Sequence, residues 1–302
     1  MPEYLAKVSC EDSGIRLDLF ILRFSRENKL GLSRTSIQKM IVGKMVKLSG
    51  SSDLKPHQKV KTGDEVEIAP AEKKQPVIAA EDIPLEIVYE DDDLAVINKP
   101  VGLVVHPAPG NYEHTLVNAL LHYFSSLSDI NPKRPGIVHR LDKETSGLMV
   151  VIKNNETHLD MARQFEKHSI ERKYVAVVKG VMSFDENIIE ASIGRHPVKR
   201  EKMAVGFSEK NRYAKTYYRT LRRGRDISLL ELRPFTGRTH QLRVHLAFIG
   251  HPIIGDDKYG RRQGFGRMFL HAQEIGFVHP RTKKLLRFSS VIPREFNDLF
   301  KQ

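Results

Sequence analysis

Apolar residues recur every three to four positions at Leu17, Phe20, Ile21 and Phe24, the spacing of one face of a helix. Ser33 is a good N-cap for a second helix carrying Ile37, Met40 and Ile41, and Gly43 is its stop signal. The period then changes from helical to alternating. Met45-Val46-Lys47-Leu48 leads into the turn Ser49-Gly50-Ser51-Ser52, and a further alternation runs through Val66 and Ile68 beyond Gly63-Asp64, so a short β-pair is expected. Residues 15–68 therefore read as one compact module of two helices plus a short β-pair. From Pro70 to Pro84 the chain is rich in Pro, Ala, Lys and Glu without apolar periodicity, the composition of a flexible tether, and the linker is set at 69–84.

Downstream, residues 85–302 switch repeatedly between strand and helix periods. Leu85 to Tyr89 and Leu94 to Asn98 read as strands around the acidic turn Asp91-Asp92-Asp93, and Thr115 caps an amphipathic helix bearing Leu116, Ala119, Leu120 and Tyr123. Met149-Val150-Val151-Ile152 reads as a buried strand, followed by a helix through Leu159, Ala162, Arg163 and Phe165 and a strand from Arg172 to Gly180. Strands at 214–221 and 228–233 lead to a helix whose face is Leu242, Leu246 and Ile249 and which Gly250 ends; a last helix spans Phe296 to Phe300. Short strands with many antiparallel connections and interspersed helices define an α+β class. No long-period repeat is present.

At 302 residues, two domains are the better expectation. A single cysteine, Cys10, makes no internal disulfide, the charged start lacks the apolar core of a signal peptide, and no apolar run approaches the ~20 residues of a membrane span. A cytoplasmic protein with no membrane partner is expected. The net charge of +12 is unevenly spread: +4 over residues 1–75, −7 over 76–194 and +15 over 195–302. Arginine dominates the last third, and its planar fork suits phosphate better than a lysine point charge, so nucleic acid is the natural partner. In the first module, Arg34, Lys39, Lys44 and Lys47 gather around one helix start and the strand after it, a patch suited to gripping an RNA backbone; the plainer reading is a solvated helix face.

The ten residues from His139 to Leu148 place one carboxylate, Asp142, in a polar turn that feeds the apolar strand. Such an edge holds a side chain over a cleft while the strand fixes its aim, although turn amides can equally satisfy a carboxylate there. His240, His245 and His251 with Asp256 could be imagined as a metal site, but spacings of five and six do not put imidazoles on one helical face. No Walker-type loop occurs, and Gly264-Phe265-Gly266 is too short a signal for a dinucleotide site.

His139-Arg140-Leu141-Asp142 and the residues after it resemble the active-site motif of the RluA-type pseudouridine synthases. Lys99 to Pro107 resembles the first motif of that family and Pro234 to Leu246 its third. Arg16-Leu17-Asp18, Ser33-Arg34, Gly43, Ser49-Gly50, Lys55-Pro56 and Gly63-Asp64 resemble the RNA-binding domain named for ribosomal protein S-four, with Ser49 standing where that domain often has Asn. The layout is that of the large-subunit ribosomal branch that carries an extra N-terminal module. This resemblance implies a catalytic domain with a mixed, largely antiparallel sheet flanked by helices, and conversion of uridines to pseudouridine in structured RNA, large-subunit ribosomal RNA or its assembling particle. It implies a monomer that uses neither metal nor organic cofactor. Asp142 is then the catalytic aspartate, with attack on the sugar, attack on the ring and removal of a ribose proton all open, and Arg243 keeps it charged. Tyr174 stacks on the target uracil and accepts the proton lost from the ring, Arg140 fills the duplex when the nucleotide swings out, Leu270 lines the base pocket, and Arg238 and His240 contact RNA. The rival readings are a non-catalytic RNA-binding ribosome assembly factor that has kept the fold and a metal-dependent RNA hydrolase.

Overall fold

The computed structural model describes residues 4–28, 30, 32–69, 78–108, 110–260 and 264–301, in two compact units, Met1–Pro76 and Val77–Gln302. In the first unit, β1 (Tyr4–Lys7) is followed by α1 (Leu17–Glu27), α2 (Arg34–Val42), β2 (Val46–Leu48) and β3 (Glu65–Ile68). Leu17, Phe20 and Ile21 of α1 pack with Ile37, Met40 and Ile41 of α2 over Val46, Leu48, Val66 and Ile68, which is why both helical stripes are apolar. The Ser33 hydroxyl caps α2 by accepting the Ser36 N–H at 3.2 Å. The sheet has three strands in the order β1-β3-β2, not the expected pair: Tyr4–Lys7 add antiparallel to the free edge of β3, so the unit begins well before residue 15. Inside it, the fully buried Asp18 carboxylate receives Arg16, Arg34 and Gln38. Burial pushes this carboxyl up, but those hydrogen bonds outweigh it and hold Asp18 below the usual range.

The second unit contains β4 (Glu86–Glu90), β5 (Leu94–Lys99), α3 (Leu116–Tyr123), β6 (Ser146–Ile152), α4 (Asn155–Glu166), β7 (Glu171–Lys179), β8 (Glu186–Glu190), β9 (Ile193–Arg195), β10 (Met203–Val205), β11 (Lys215–Arg223), β12 (Ile227–Pro234), α5 (Gln241–Phe248), β13 (Leu270–Val278), β14 (Leu285–Ser289) and α6 (Arg294–Asp298). Nine strands form one sheet in the order β4-β5-β6-β13-β7-β12-β11-β8, with β14 added to β13; β9 and β10 form a separate ribbon. Among the described strands every pairing in this sheet is antiparallel except β6 with β13, which is parallel and only two residue pairs long, His271 with Ser146 and Ala272 with Gly147.

Helices cover both faces. Ala95, Ile97, Met149 and Val151 point toward Leu116, Val117 and Leu120 of α3, and their neighbours Val96, Val150 and Ile152 point toward Met161 of α4. A strand buried on both sides needs no polar alternation, so β6 reads as a continuous apolar run. Further along the sheet, Ala176 and Val178 meet Leu242 and Leu246 of α5, while Val175 and Val177 meet Phe296. Tyr174 touches both the α3 core and the α5 core, so it stands where the two apolar clusters of one face part.

Residues 70–77 of the expected linker lie outside the described residues. Residues 78–84 differ from a tether: the buried Asn118 side chain of α3 donates to the Ala79 carbonyl at 2.8 Å and Glu81 N–H donates to the Asn118 carbonyl, docking this segment onto the second unit. Its composition is that of a linker, but these bonds, the Glu81–His114 contacts and the packing of Ile78 make it part of a domain.

Candidate active site

Asp142 sits in the turn entering β6, and three contacts fix that turn. His139, partly buried and stacked on Phe165 with ring centroids 4.7 Å apart, accepts the Val150 N–H at 3.0 Å; desolvation, and then the nearby Arg172 charge, hold its pKa down to about 3, so the imidazole stays neutral and an acceptor. The buried Lys99 donates to the carbonyls of Pro100, Leu103 and Lys143 at 2.8, 2.9 and 3.2 Å, which uses all three ammonium hydrogens and ties the segment after β5 to the residue following Asp142. Burial lowers the Lys99 pKa to about 8, still leaving it charged at neutral pH. Finally, Thr145 N–H closes the turn on the Asp142 carbonyl.

From α5, Arg243 Nη1 donates to Asp142 Oδ2 at 2.8 Å. Its other two nitrogens both donate to Asp256, Nε to Oδ2 at 2.7 Å and Nη2 to Oδ1 at 2.8 Å, a bidentate pair buried in the protein. Burial alone would lower the arginine pKa, but the two carboxylates outweigh it and raise it; reciprocally, burial pushes Asp256 up while Arg243 and the Lys258 and Tyr259 amides pull it below its usual range. His240, the N-cap of α5, stands on the other side of Asp142, with Nε2 3.7 Å from Oδ1. Its Nδ1 is 2.7 Å from the Tyr259 hydroxyl, and the Tyr259 ring lies under the Arg243 guanidinium at 5.1 Å.

The pair opens into a cleft of about 720 Å³ whose lining includes Asp142, Arg243, Tyr174, Leu270, Arg140, Arg238 and His240, so the expected site residues of the catalytic domain converge on one space. Burial, its largest influence, raises the Tyr174 pKa, and the phenol is protonated at neutral pH. Arg134, Arg172 and Arg212 also line the cleft and were not singled out from the sequence. Arg172 and Tyr174 lie two apart on β7, hence on the same strand face, a spacing that could have signalled the pairing. The basic residues of the first module belong to the other unit: Arg34 is committed to Asp18, Lys47 lies 3.4 Å from Glu67, and Lys39 and Lys44 are exposed. Arg261 and Arg262 lie outside the described residues.

The histidines once imaginable as a metal set have separate partners: His245 is buried between Thr216 Oγ1 and the Ala191 carbonyl, and His251 faces the Lys179 carbonyl. Among the described residues, Asp91, Asp93 and His279 do lie within metal-binding distance of one another, but their atoms are occupied by Tyr89, Asn154, Arg281 and backbone amides, a hydrogen-bonded latch. Beside the site, Arg267 donates to Ser146 Oγ at 2.6 Å, Ser146 pairs with His271 Nδ1 at 2.9 Å, and His271 Nε2 pairs with Ser290 Oγ at 2.8 Å. Burial holds the His271 pKa down to about 4. Because the folded state then binds fewer protons than the unfolded chain between about pH 4 and the ordinary histidine value, stability is expected to fall as pH drops through that window, by up to ~1.4 kcal/mol per pH unit for this residue. Urea unfolding at several pH values should show it, with a reduced slope in His271→Asn; an unchanged slope would refute the assignment.

A family model described as RNA pseudouridylate synthase matches residues 93–248, the span that carries Asp142, Tyr174 and Arg243. An uncharacterized RNA pseudouridine synthase of Bacillus subtilis (strain 168) is 42% identical over 96% of this chain and 94% of its own. A ribosomal large subunit pseudouridine synthase D of Haemophilus influenzae (strain ATCC 51907 / DSM 11121 / KW20 / Rd) is 38% identical over 97% of this chain and 93% of its own. Among solved structures, human RNA pseudouridylate synthase domain containing 1 superposes with a TM-score of 0.60 at 27% identity, covering 70% of this chain and 85% of that one. With a polar turn, a guanidinium and a cleft arranged for carboxylate chemistry in the matched span, and with relatives similar along almost their whole length, this chain belongs to the RNA pseudouridylate synthase family.

Proposed function

We propose that the protein isomerises specific uridines of large-subunit ribosomal RNA to pseudouridine, in the cytoplasm and as a monomer, with Asp142 as the single catalytic carboxylate. The reaction breaks the bond from ribose C1′ to uracil N1, turns the base in place, and joins C1′ to C5; the C5 proton leaves and N1 gains one, so no redox partner is needed. The observation that carries the reading is the Asp142–Arg243 pair, 2.8 Å apart on the wall of a cleft that Tyr174 and Leu270 also line. Binding alone would not call for an ionised carboxylate facing a polyanion, which repels it.

In this reading the target nucleotide leaves the helix and enters the cleft, at an unstacking cost of a few kcal/mol that Arg140 offsets by filling the gap. Tyr174 and Leu270 hold the detached uracil. The raised pKa of Tyr174 favours stacking as its role in the free enzyme, because a protonated phenol is a poor base. Arg238, with Arg134 and Arg212, supplies phosphate contacts along the rim. The test is release of tritium from ribosomal RNA labelled at uracil C5: an active enzyme frees the label in excess chelator and leaves the RNA full length. An assembly factor frees none, and a metal-dependent hydrolase shortens the strand and stops with EDTA.

The first unit is proposed to grip the RNA backbone through Lys39 and Lys44 and, more weakly, through the partly committed Arg34 and Lys47. Its deletion is expected to lower affinity for long ribosomal RNA by ~10-fold or more and to flatten the dependence of binding on salt, while short stem-loops are still modified. A salt series identical to that of the full chain would overturn this role.

A further inference from the structure

The turn Gly255-Asp256-Asp257-Lys258-Tyr259-Gly260 has no part in the reaction as proposed above, yet both groups that face Asp142 end on it. We propose that this turn is the positioning element of the catalytic carboxylate: Asp256 sets it through Arg243, Tyr259 sets it through His240, and together they leave Oδ1 of Asp142 as the oxygen presented to the substrate. The inference rests on the assignment of Asp142 as the catalytic residue.

Four N–H donors hold Asp256. Oδ2 accepts Arg243 Nε, and Oδ1 accepts Arg243 Nη2 together with the Lys258 and Tyr259 amides at 2.9 and 3.0 Å. A carboxylate held by two amides of its own turn cannot swing, and its two-point grip fixes the plane of the guanidinium. The directions of the two Nη1 hydrogens are then fixed, and one of them meets Asp142 Oδ2. Without Asp256 the guanidinium could turn both its edges to Asp142 or leave it altogether. The turn is anchored in turn: Gly255 has φ +74, and a Cβ there would overlap the Arg267 carbonyl, so it packs directly on the backbone that leads into Leu270.

Tyr259 does the corresponding work on the other oxygen. Its hydroxyl oxygen accepts the Met203 N–H at 2.9 Å, and with that acceptor role filled we assign the hydroxyl hydrogen to His240 Nδ1 at 2.7 Å. That bond selects the imidazole tautomer with hydrogen on Nε2, the nitrogen facing Asp142 Oδ1, and burial keeps the ring neutral. His240 also holds φ at +55, a left-handed conformation that costs a non-glycine residue energy and persists when its surroundings fix it. At 3.7 Å the Nε2–Oδ1 contact is longer than a hydrogen bond, so Oδ1 keeps its lone pairs while Oδ2 is engaged.

The test is tritium release by wild type and variants, with RNA affinity measured separately. Asp256→Asn is expected to lower kcat by ~10²-fold with KM and RNA affinity within ~3-fold, because misplacement by an ångström acts on the chemical step. Tyr259→Phe keeps the ring under Arg243 and removes one hydroxyl; its expected loss is ~10-fold in kcat. If Tyr259 acts through His240, adding Tyr259→Phe to His240→Gln costs nothing further, whereas losses that multiply overturn the proposal, since a purely structural role would be independent. A folded Asp256→Asn with kcat within ~3-fold of wild type overturns it as well. Should Asp256→Asn lose its cooperative unfolding, the Tyr259–His240 cycle decides alone. A wild-type protein that releases no label defeats the catalytic reading itself, an outcome separate from active enzyme with insensitive variants.

Discussion

Asp142→Asn will lower the rate of tritium release by ~10⁴-fold or more while RNA affinity stays within ~3-fold. The substitution is nearly isosteric. The asparagine oxygen can still accept Arg243 Nη1, and Arg243 keeps its two-point pair with Asp256, so no buried charge is stranded and the fold should lose only about 1 kcal/mol. What disappears is the negative charge on an oxygen that must attack carbon or take a proton; an amide does neither. Affinity should if anything rise, since a neutral group replaces an anion on a wall facing phosphates. Single-turnover release and filter binding measure the two quantities separately. A residual rate above roughly one per cent of wild type would remove Asp142 from the chemistry.

Much of this architecture could be read from periodicity because local burial enforces it. The run Met149 to Ile152 is apolar at every position since α3 and α4 cover the two faces of β6, and the helical stripes at Leu17 and Ile37 face each other across one core. The site was another matter. Asp142 and Arg243 are 101 residues apart, and no local rule links a carboxylate in one turn to a guanidinium in a distant helix; only the likeness to a known family joined them. Asp256 was weighed solely as a metal ligand, because in sequence an aspartate in a glycine-bracketed turn looks solvated. Its burial follows from where α5 lies. Arg34 shows the converse: a cation assigned to RNA is half spent on Asp18, a buried carboxylate whose need for partners cannot be seen in an amphipathic stripe. Strand β1 escaped notice because four residues carry too little pattern, and residues 78–84 escaped because composition does not report the contacts of Asn118 and His114 that dock them.

A large loss of stability from a one-carbon change is expected at Gly147. Its φ is +115, which side chains rarely adopt, and an added Cβ would overlap the Ala272 carbonyl oxygen and stand 2.6 Å from the Ala272 nitrogen. Both atoms are backbone, so no flexible side chain can yield. Relief requires β6 and β13 to separate, and their parallel pairing is only two residue pairs long, with Gly147 opposite Ala272 in one of them. Gly147→Ala should therefore destabilise the second unit by about 4 kcal/mol, strain and lost pairing together, lowering its thermal midpoint by roughly 10 °C. The same two strands carry the two sides of the cleft: Asp142 hangs from the entry to β6, and Leu270 is the first residue of β13. Folded Gly147→Ala molecules should consequently show a slower chemical step, by ~10²-fold, with RNA affinity intact, because the carboxylate is displaced from the uracil while the basic rim is untouched. Urea unfolding and single-turnover release on the same preparation separate these effects. A normal urea midpoint would mean that the strands part without cost; a normal rate at a reduced midpoint would mean that the distance from Asp142 to Leu270 is set elsewhere, by Lys99 and His139 holding the turn independently of the sheet.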